Sequence, residues 1–67
     1  MKHTPIRSSN LESTAHDPAT QKMQVKFKNG GTYEWDGVSA EEHAALRAAG
    51  SPGAHLRYNF QKGSKVS

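Results

Sequence analysis

Two segments of this 67-residue chain carry side chains that could bind a polyanion. One segment interleaves basic, amide and aromatic groups and reads Arg57-Tyr58-Asn59-Phe60-Gln61-Lys62. This mixture is typical of surfaces that stack unpaired bases and hold phosphates. In the other segment, Lys26 and Lys28 line one face of a predicted strand that Lys22 begins. The candidate nucleic-acid-binding residues are therefore Lys22, Lys26, Lys28, Arg57, Tyr58 and Lys62.

A second interpretation of the C-terminal segment stays open at this point. Tyr58 and Phe60 could belong to the hydrophobic core, and the neighbouring charges could form a solvated rim. The charge balance favours an anionic partner, because nine Lys and Arg residues exceed six Asp and Glu residues and the isoelectric point is about 9.5. Nucleic acid is the first candidate among such partners.

Catalysis and metal binding find little support in the sequence. The carboxylates Glu41 and Glu42 are expected in the first turn of a helix, where they stabilise the helix dipole, and His43 beside them is expected to face solvent. The four histidines lack the close spacing of metal ligands, and no cysteine accompanies them. We expect no enzyme activity, no metal and no cofactor.

Two features that the sequence lacks, cysteine residues and an apolar run near the N-terminus, indicate the cellular compartment of the protein. The absence of cysteine fits a reducing compartment, and no apolar run follows the basic residues near the N-terminus. We therefore expect no secretory signal, no membrane span and a cytoplasmic location.

The arrangement of the fold depends on a hairpin predicted over residues 23–36, where apolar and polar residues alternate on both sides of a turn. A two-residue turn at 29–30 would place Tyr33 opposite Lys26 and Trp35 opposite Gln24. The aromatic side chains would then share the basic face of the sheet.

A three-residue loop at 29–31 gives the opposite result. Phe27 would then face Tyr33, Val25 would face Trp35, and all the large side chains would lie on one face. We favour this loop because so short a chain can hardly leave two aromatic residues outside its core. The core predicted from this loop comprises Met23, Val25, Phe27, Tyr33, Trp35, Leu46, Leu56 and Phe60.

The remaining elements follow from their local signals. An edge strand is expected over 8–16, with Leu11, Ser13 and Ala15 inward and Glu12, Thr14 and His16 outward. Asp17-Pro18 begins a turn. Ser39 and Glu42 form a capping box before a helix over 40–49, which stops at Gly50. Ser51-Pro52 starts a second helix. The fold class is α+β, with a three-stranded antiparallel meander, one helix packed on one face and a short second helix at the C-terminus. Its predicted organisation is a flexible arm at 1–7, a single domain at 8–61 and a flexible tail at 62–67.

The order of these motifs resembles the KTSC domain, which occurs at the C-terminus of some lysyl-tRNA synthetases and alone in small bacterial and phage proteins. A Tyr-x-Tyr pair typical of the family corresponds here to Tyr33 and Trp35. The other matching motifs are Ser8-Ser9-Asn10, His16-Asp17-Pro18, Met23-x-Val25-x-Phe27-x-Asn29-Gly30 and Ala49-Gly50-Ser51-Pro52-Gly53. The resemblance implies an RNA-binding role, through the attachment to a tRNA synthetase, and no catalytic residues.

Two functions are therefore expected from the sequence. The first is a small non-enzymatic module that binds RNA through a basic sheet face and the C-terminal basic and aromatic segment. The alternative is a protein-interaction module, such as a phage- or prophage-type regulator that docks on a host enzyme or the transcription machinery. It would dock through a strand edge or through an apolar patch of Leu56, Tyr58 and Phe60. The sequence does not define the oligomeric state.

Overall fold

A computed structural model describes all 67 residues as one five-stranded antiparallel sheet with two helices. The strands follow one another in the sheet in chain order, which makes the sheet a simple meander. The elements are β1 (Thr4–Pro5), β2 (Leu11–Asp17), β3 (Lys22–Phe27), β4 (Thr32–Trp35), α1 (Ala40–Ala48), α2 (Pro52–Asn59) and β5 (Ser64–Lys65).

The α+β class is confirmed, but the predicted number of three strands is wrong. Two-residue strands at both ends of the chain extend the central meander, β1 beside β2 and β5 beside β4. These segments lack the alternation that identifies a strand, and they pair because the outer strands of the meander present unsatisfied backbone groups. Parts of the segments 1–7 and 62–67 therefore belong to the sheet, while the mobility expected of both segments stays a prediction.

The hairpin between β3 and β4 has the predicted facing but not the predicted register. Val25 pairs with Tyr33 and Met23 with Trp35, so the aromatic residues share the apolar face. The loop comprises residues 28–30, because the amide of Phe27 donates to the carbonyl of Gly31 over 3.1 Å. A register moved by two positions leaves every side chain on its face, since the strand period is two.

The predicted orientation of β2 holds for Leu11 and Glu12 and is wrong from Ser13 onward. The register shifts between Leu11 and Ser13, which is a β-bulge. After the bulge, Thr14 pairs with Val25 and His16 with Met23, so both polar residues lie on the apolar face. Ser13 and Ala15, expected inward, lie on the opposite face, where the side chain of His3 covers part of the sheet by bonding to Ser13 over 2.9 Å.

Both helices pack on the same face of the sheet, whereas one was expected there. The capping box of α1 is confirmed, with the amide of Glu42 donating to Ser39 Oγ over 3.1 Å and the amide of Ser39 donating to Glu42 Oε1 over 2.9 Å. The helix ends at Ala48, one residue earlier than predicted. Pro52 begins α2 as predicted, but the side chain of Ser51 makes no capping hydrogen bond.

The buried core is entirely aliphatic. It consists of Leu11, Met23, Val25, Val38, Leu46 and Leu56, each at most 6% exposed. The predicted core also contained Phe27, Trp35 and Phe60, which are half-buried and pack against this cluster, and Tyr33, which is half-buried. Both helices are short, α1 is rich in alanine, and each helix inserts one leucine into the core, so they leave the aromatic residues partly uncovered.

Candidate functional site

A groove of about 820 Å³ runs between α2, the β3–β4 hairpin and the segment that leads into β5. We call it the aromatic groove, because all five aromatic residues of the chain line it: Phe27, Tyr33, Trp35, Tyr58 and Phe60. Four of these rings are half-buried, and Tyr58 is 80% exposed. The groove therefore presents aromatic surface to solvent.

Three rings of the groove are oriented by specific contacts. Phe27 and Tyr33 meet edge to face, with ring centroids 5.5 Å apart, a geometry favoured by the ring quadrupoles. Trp35 donates its indole N–H to the carbonyl of Gln61. Residue Tyr58 has no such partner, so its ring is the one that is free to stack against a ligand.

The charge around the aromatic groove has a single sign. Arg57 and Lys62 line the groove, and no Asp or Glu does. A second depression of about 380 Å³, the basic cup, lies next to it and is lined by Ile6, Arg7, Ser8, Ser9, Lys28, Gly50, Ser51 and Pro52. The four cations of the two depressions account for the whole positive excess of the chain, since the other five basic residues are outnumbered by six acidic ones.

The face of the sheet opposite the helices is not the basic surface that was expected. Lys22 lies 3.5 Å from both Glu34 and Asp36, and Lys26 lies 3.3 Å from Glu12. The carboxylate of Asp36, followed by that of Glu34, raises the pKa of Lys22. Two lysines that face three carboxylates have little charge left for a polyanion.

The six predicted binding residues are thus divided between three places. Arg57, Tyr58 and Lys62 lie together at the aromatic groove, and Lys28 lines the basic cup. Lys22 and Lys26 lie on the far face of the sheet in ion pairs. The structure therefore brings together the C-terminal part of the predicted set and separates it from the strand lysines.

The sequence reasoning missed the hairpin aromatic residues as part of the site. It assigned Tyr33 and Trp35 to the core alone, whereas both also form a wall of the groove, and Trp35 does so while it packs against the core. Their period-two alternation placed them on the apolar face but carried no information on how much of that face the helices cover. The alanine-rich composition of α1 was the available signal, since small side chains cover little of a sheet.

Beneath α1, a polar cluster connects the helix to the sheet. The rings of His16 and His43 stack with centroids 5.2 Å apart, and both histidines had been expected to face solvent. Thr14, which is fully buried, lies 2.9 Å from His43 Nε2 and accepts a hydrogen bond from Arg47 over 2.8 Å. Because Thr14 accepts from Arg47, its own hydroxyl proton can be donated to a neutral His43.

The environment of His43 disfavours its charged form. Burial lowers the pKa of this imidazole, and the neighbouring His16 and Arg47 lower the pKa further. The Val38 carbonyl can only accept, so His16 donates to it from Nε2, over 2.6 Å. Each of the four polar side chains of the cluster thus makes at least one hydrogen bond within the fold. No group of three or more His, Cys, Asp or Glu side chains has the geometry to hold a metal ion.

Fold and groove together define a small α+β module with one concave aromatic surface. Residues 7–63 match the model of the KTSC domain, and this chain belongs to the KTSC domain family. It is 36% identical over 61 residues to an uncharacterized protein from Stutzerimonas stutzeri (strain A1501), covering 91% of this chain and 86% of that protein.

A solved structure shows the same architecture. The crystal structure of a KTSC domain protein from Yersinia pestis superposes with a TM-score of 0.90 at 25% identity, covering 98% of this chain and 97% of that one. As for membranes, neither helix of the present structure is long and apolar enough to span a bilayer.

Proposed function

We propose that this protein is a non-enzymatic module that binds single-stranded nucleic acid, RNA first, with unpaired bases against the aromatic groove. One observation carries the proposal: every aromatic residue of the chain lines one groove, which also holds Arg57 and Lys62 and contains no carboxylate. Aromatic rings stack bases whatever their sequence, and cations hold the phosphates between them. A cytoplasmic location, where RNA is abundant, is part of the proposal.

The groove favours unpaired bases over a duplex for a geometric reason. Four of the five rings are recessed, and the bases of a duplex are stacked within the helix where recessed rings cannot reach them. A single strand can turn a base outward and place it on Tyr58, which is 80% exposed. Asn10 and Asn29 also line the groove and supply amide groups that can bond to base edges.

The predicted role of the sheet face is not carried into this proposal. Lys22 and Lys26 are paired with carboxylates. A polyanion would have to displace these carboxylates before it could contact the two lysines. The electrostatic contribution to binding is therefore assigned to the cations of the groove and the cup.

Docking on a larger protein is the alternative function. The two edge strands of the sheet, β1 and β5, are only two residues long, and Pro5 in β1 lacks an amide donor. They therefore offer little backbone for the addition of a strand from a partner. The apolar patch proposed from Leu56, Tyr58 and Phe60 is reduced by the burial of Leu56. A peptide ligand would therefore use the aromatic groove itself, and the same experiment can test both ligands.

The test is a fluorescence anisotropy titration with a labelled single-stranded RNA of about ten nucleotides and with the matching duplex, each at low and moderate salt. We expect tighter binding of the single strand and a loss of affinity as salt rises, because the Lys and Arg side chains of the protein displace counterions that are condensed on the RNA. Affinity weaker than millimolar at low salt, or equal affinity for the duplex, would contradict the proposal. Recovery by pull-down of one protein in stoichiometric amount, which added RNA does not release, would favour the alternative.

A further inference from the structure

The basic cup has the composition of a site for a phosphate group. Arg7 and Lys28 line it together with the hydroxyl-bearing residues Ser8, Ser9 and Ser51, and no carboxylate does. Neither cation makes an ion pair, in contrast to Lys22 and Lys26 on the sheet. Guanidinium, ammonium and hydroxyl groups are the donors that bind phosphate oxygens in proteins.

One of these hydroxyl groups is already oriented by the backbone. Ser8 Oγ accepts hydrogen bonds from the amides of Asn10 and Leu11, each over 3.2 Å. Both acceptor positions of this oxygen are thereby occupied, so the hydroxyl proton is the group that remains available to a ligand. An anion in the cup can accept this hydroxyl proton in a hydrogen bond, whereas a cation cannot.

The basic cup and the aromatic groove meet where three segments of the chain come together, residues 6–11, 27–30 and 50–54. They share Ser51, and Lys28 in the cup stands between Phe27 and Asn29 in the groove. The amide of Lys28 donates to the carbonyl of Asn10 over 2.9 Å, which ties together two of these segments. A ligand that fills the groove therefore lies beside the cup.

We propose that the basic cup binds a backbone phosphodiester of the same strand whose base occupies the aromatic groove. This inference rests on the proposed function and adds to it a defined phosphate subsite. Phosphate contacts fix the register of a strand while base contacts supply preference. The cup thus positions the strand, and the groove takes the base.

The experiment measures how the affinity for a single-stranded RNA of about ten nucleotides depends on salt. The variants are Lys28→Gln, Arg7→Gln and the double substitution, and the matched control is Lys26→Gln, which removes a lysine that is paired with Glu12. Each phosphate contact on a single strand contributes about −0.7 to the slope of log K against log salt. We expect the double substitution to reduce the magnitude of the slope by about 0.7, because one phosphate contact is lost. Each single substitution should reduce it by no more than this amount, and the control should leave it unchanged.

The outcomes separate this inference from the proposed function. An unchanged slope for the double variant, with RNA still bound, would overturn the phosphate subsite and leave groove binding intact. An equal reduction for Lys26→Gln would show diffuse attraction and would also overturn the subsite. If the unaltered protein bound no RNA, both the inference and the proposed function would fail together.

Discussion

Gly63 lies directly against the indole ring of Trp35. A Cβ atom added to this glycine would be 2.7 Å from both Cε2 and Cζ2 of the ring. The same indole donates its N–H to the carbonyl of Gln61, so one tryptophan fixes the path of the chain after α2. Because this segment carries Lys62 and forms a wall of the aromatic groove, the contact helps to shape the candidate site.

Gly63→Ala should destabilise the protein, because the added methyl group cannot fit against the ring without moving the backbone. Overpacking of this kind costs about 1–3 kcal/mol, which urea denaturation would measure as a lower midpoint. Gly50→Ala is the matched control, since a Cβ there meets no atom within 4 Å and the residue has no positive φ. Equal stability of both variants would contradict the close contact.

Tyr58→Ala should weaken RNA binding without changing stability. The side chain is 80% exposed, so its removal costs little folding energy, whereas the loss of one stacked base costs about 1–3 kcal/mol, or roughly 5- to 150-fold in affinity. Tyr58→Phe keeps the ring and should bind nearly as well as the original. Full affinity in the alanine variant, measured by anisotropy, would remove this residue from the site.

Arg47→Met should release β1 from the sheet edge. The guanidinium donates to the carbonyls of Thr4 and Pro5 over 3.2 and 2.8 Å at the exposed edge and to the part-buried Thr14 over 2.8 Å. Charge-assisted hydrogen bonds contribute about 1.5–3 kcal/mol, and less where they are exposed to solvent. Hydrogen exchange at the amide of Ile6, which bonds to Glu12, should become faster in the variant. Unchanged exchange at this amide would show that β1 does not depend on Arg47.

The stability of the protein should fall as the pH drops below about 6.5. The pKa of His43 is lowered in the fold, so the unfolded chain binds more protons in this range and stability rises with pH. The contribution is fully present above the unfolded pKa of about 6.5 and is lost as the pH falls through the folded pKa.

Thermal unfolding measured between pH 5 and 8 tests this dependence, with His43→Asn as the comparison. The variant should have a flatter profile than the original, because it lacks the imidazole that resists protonation. A profile of the original protein that is level, or that rises on acidification, would contradict the structural account of the cluster beneath α1.

Local signals in the sequence were sufficient to predict the elements that are determined by interactions between neighbouring residues. The capping box of Ser39 and Glu42, the proline at the start of α2 and the facing of the hairpin are all present as expected. Each depends on a few neighbouring residues or on the strand period, which the sequence shows directly.

The features that sequence reasoning missed depend on contacts between distant segments. The bulge after Leu11 reverses the facing of Thr14 and His16, and nothing in residues 8–16 marks its position. The short strand β5 forms because β4 has a free edge and Trp35 holds the segment before it. The ion pairs of Lys22 and Lys26 likewise arise from the register of neighbouring strands.

The central claim is that one groove binds unpaired bases, and a ¹⁵N–¹H correlation spectrum recorded during titration with a short single-stranded RNA tests it most directly. We predict that the amide signals of residues 29–30 and 57–63 and the indole signal of Trp35 shift progressively, while those of Gln24 and Lys26 on the far face stay in place. Shifts confined to the far face of the sheet, or no shifts at low salt, would contradict the account.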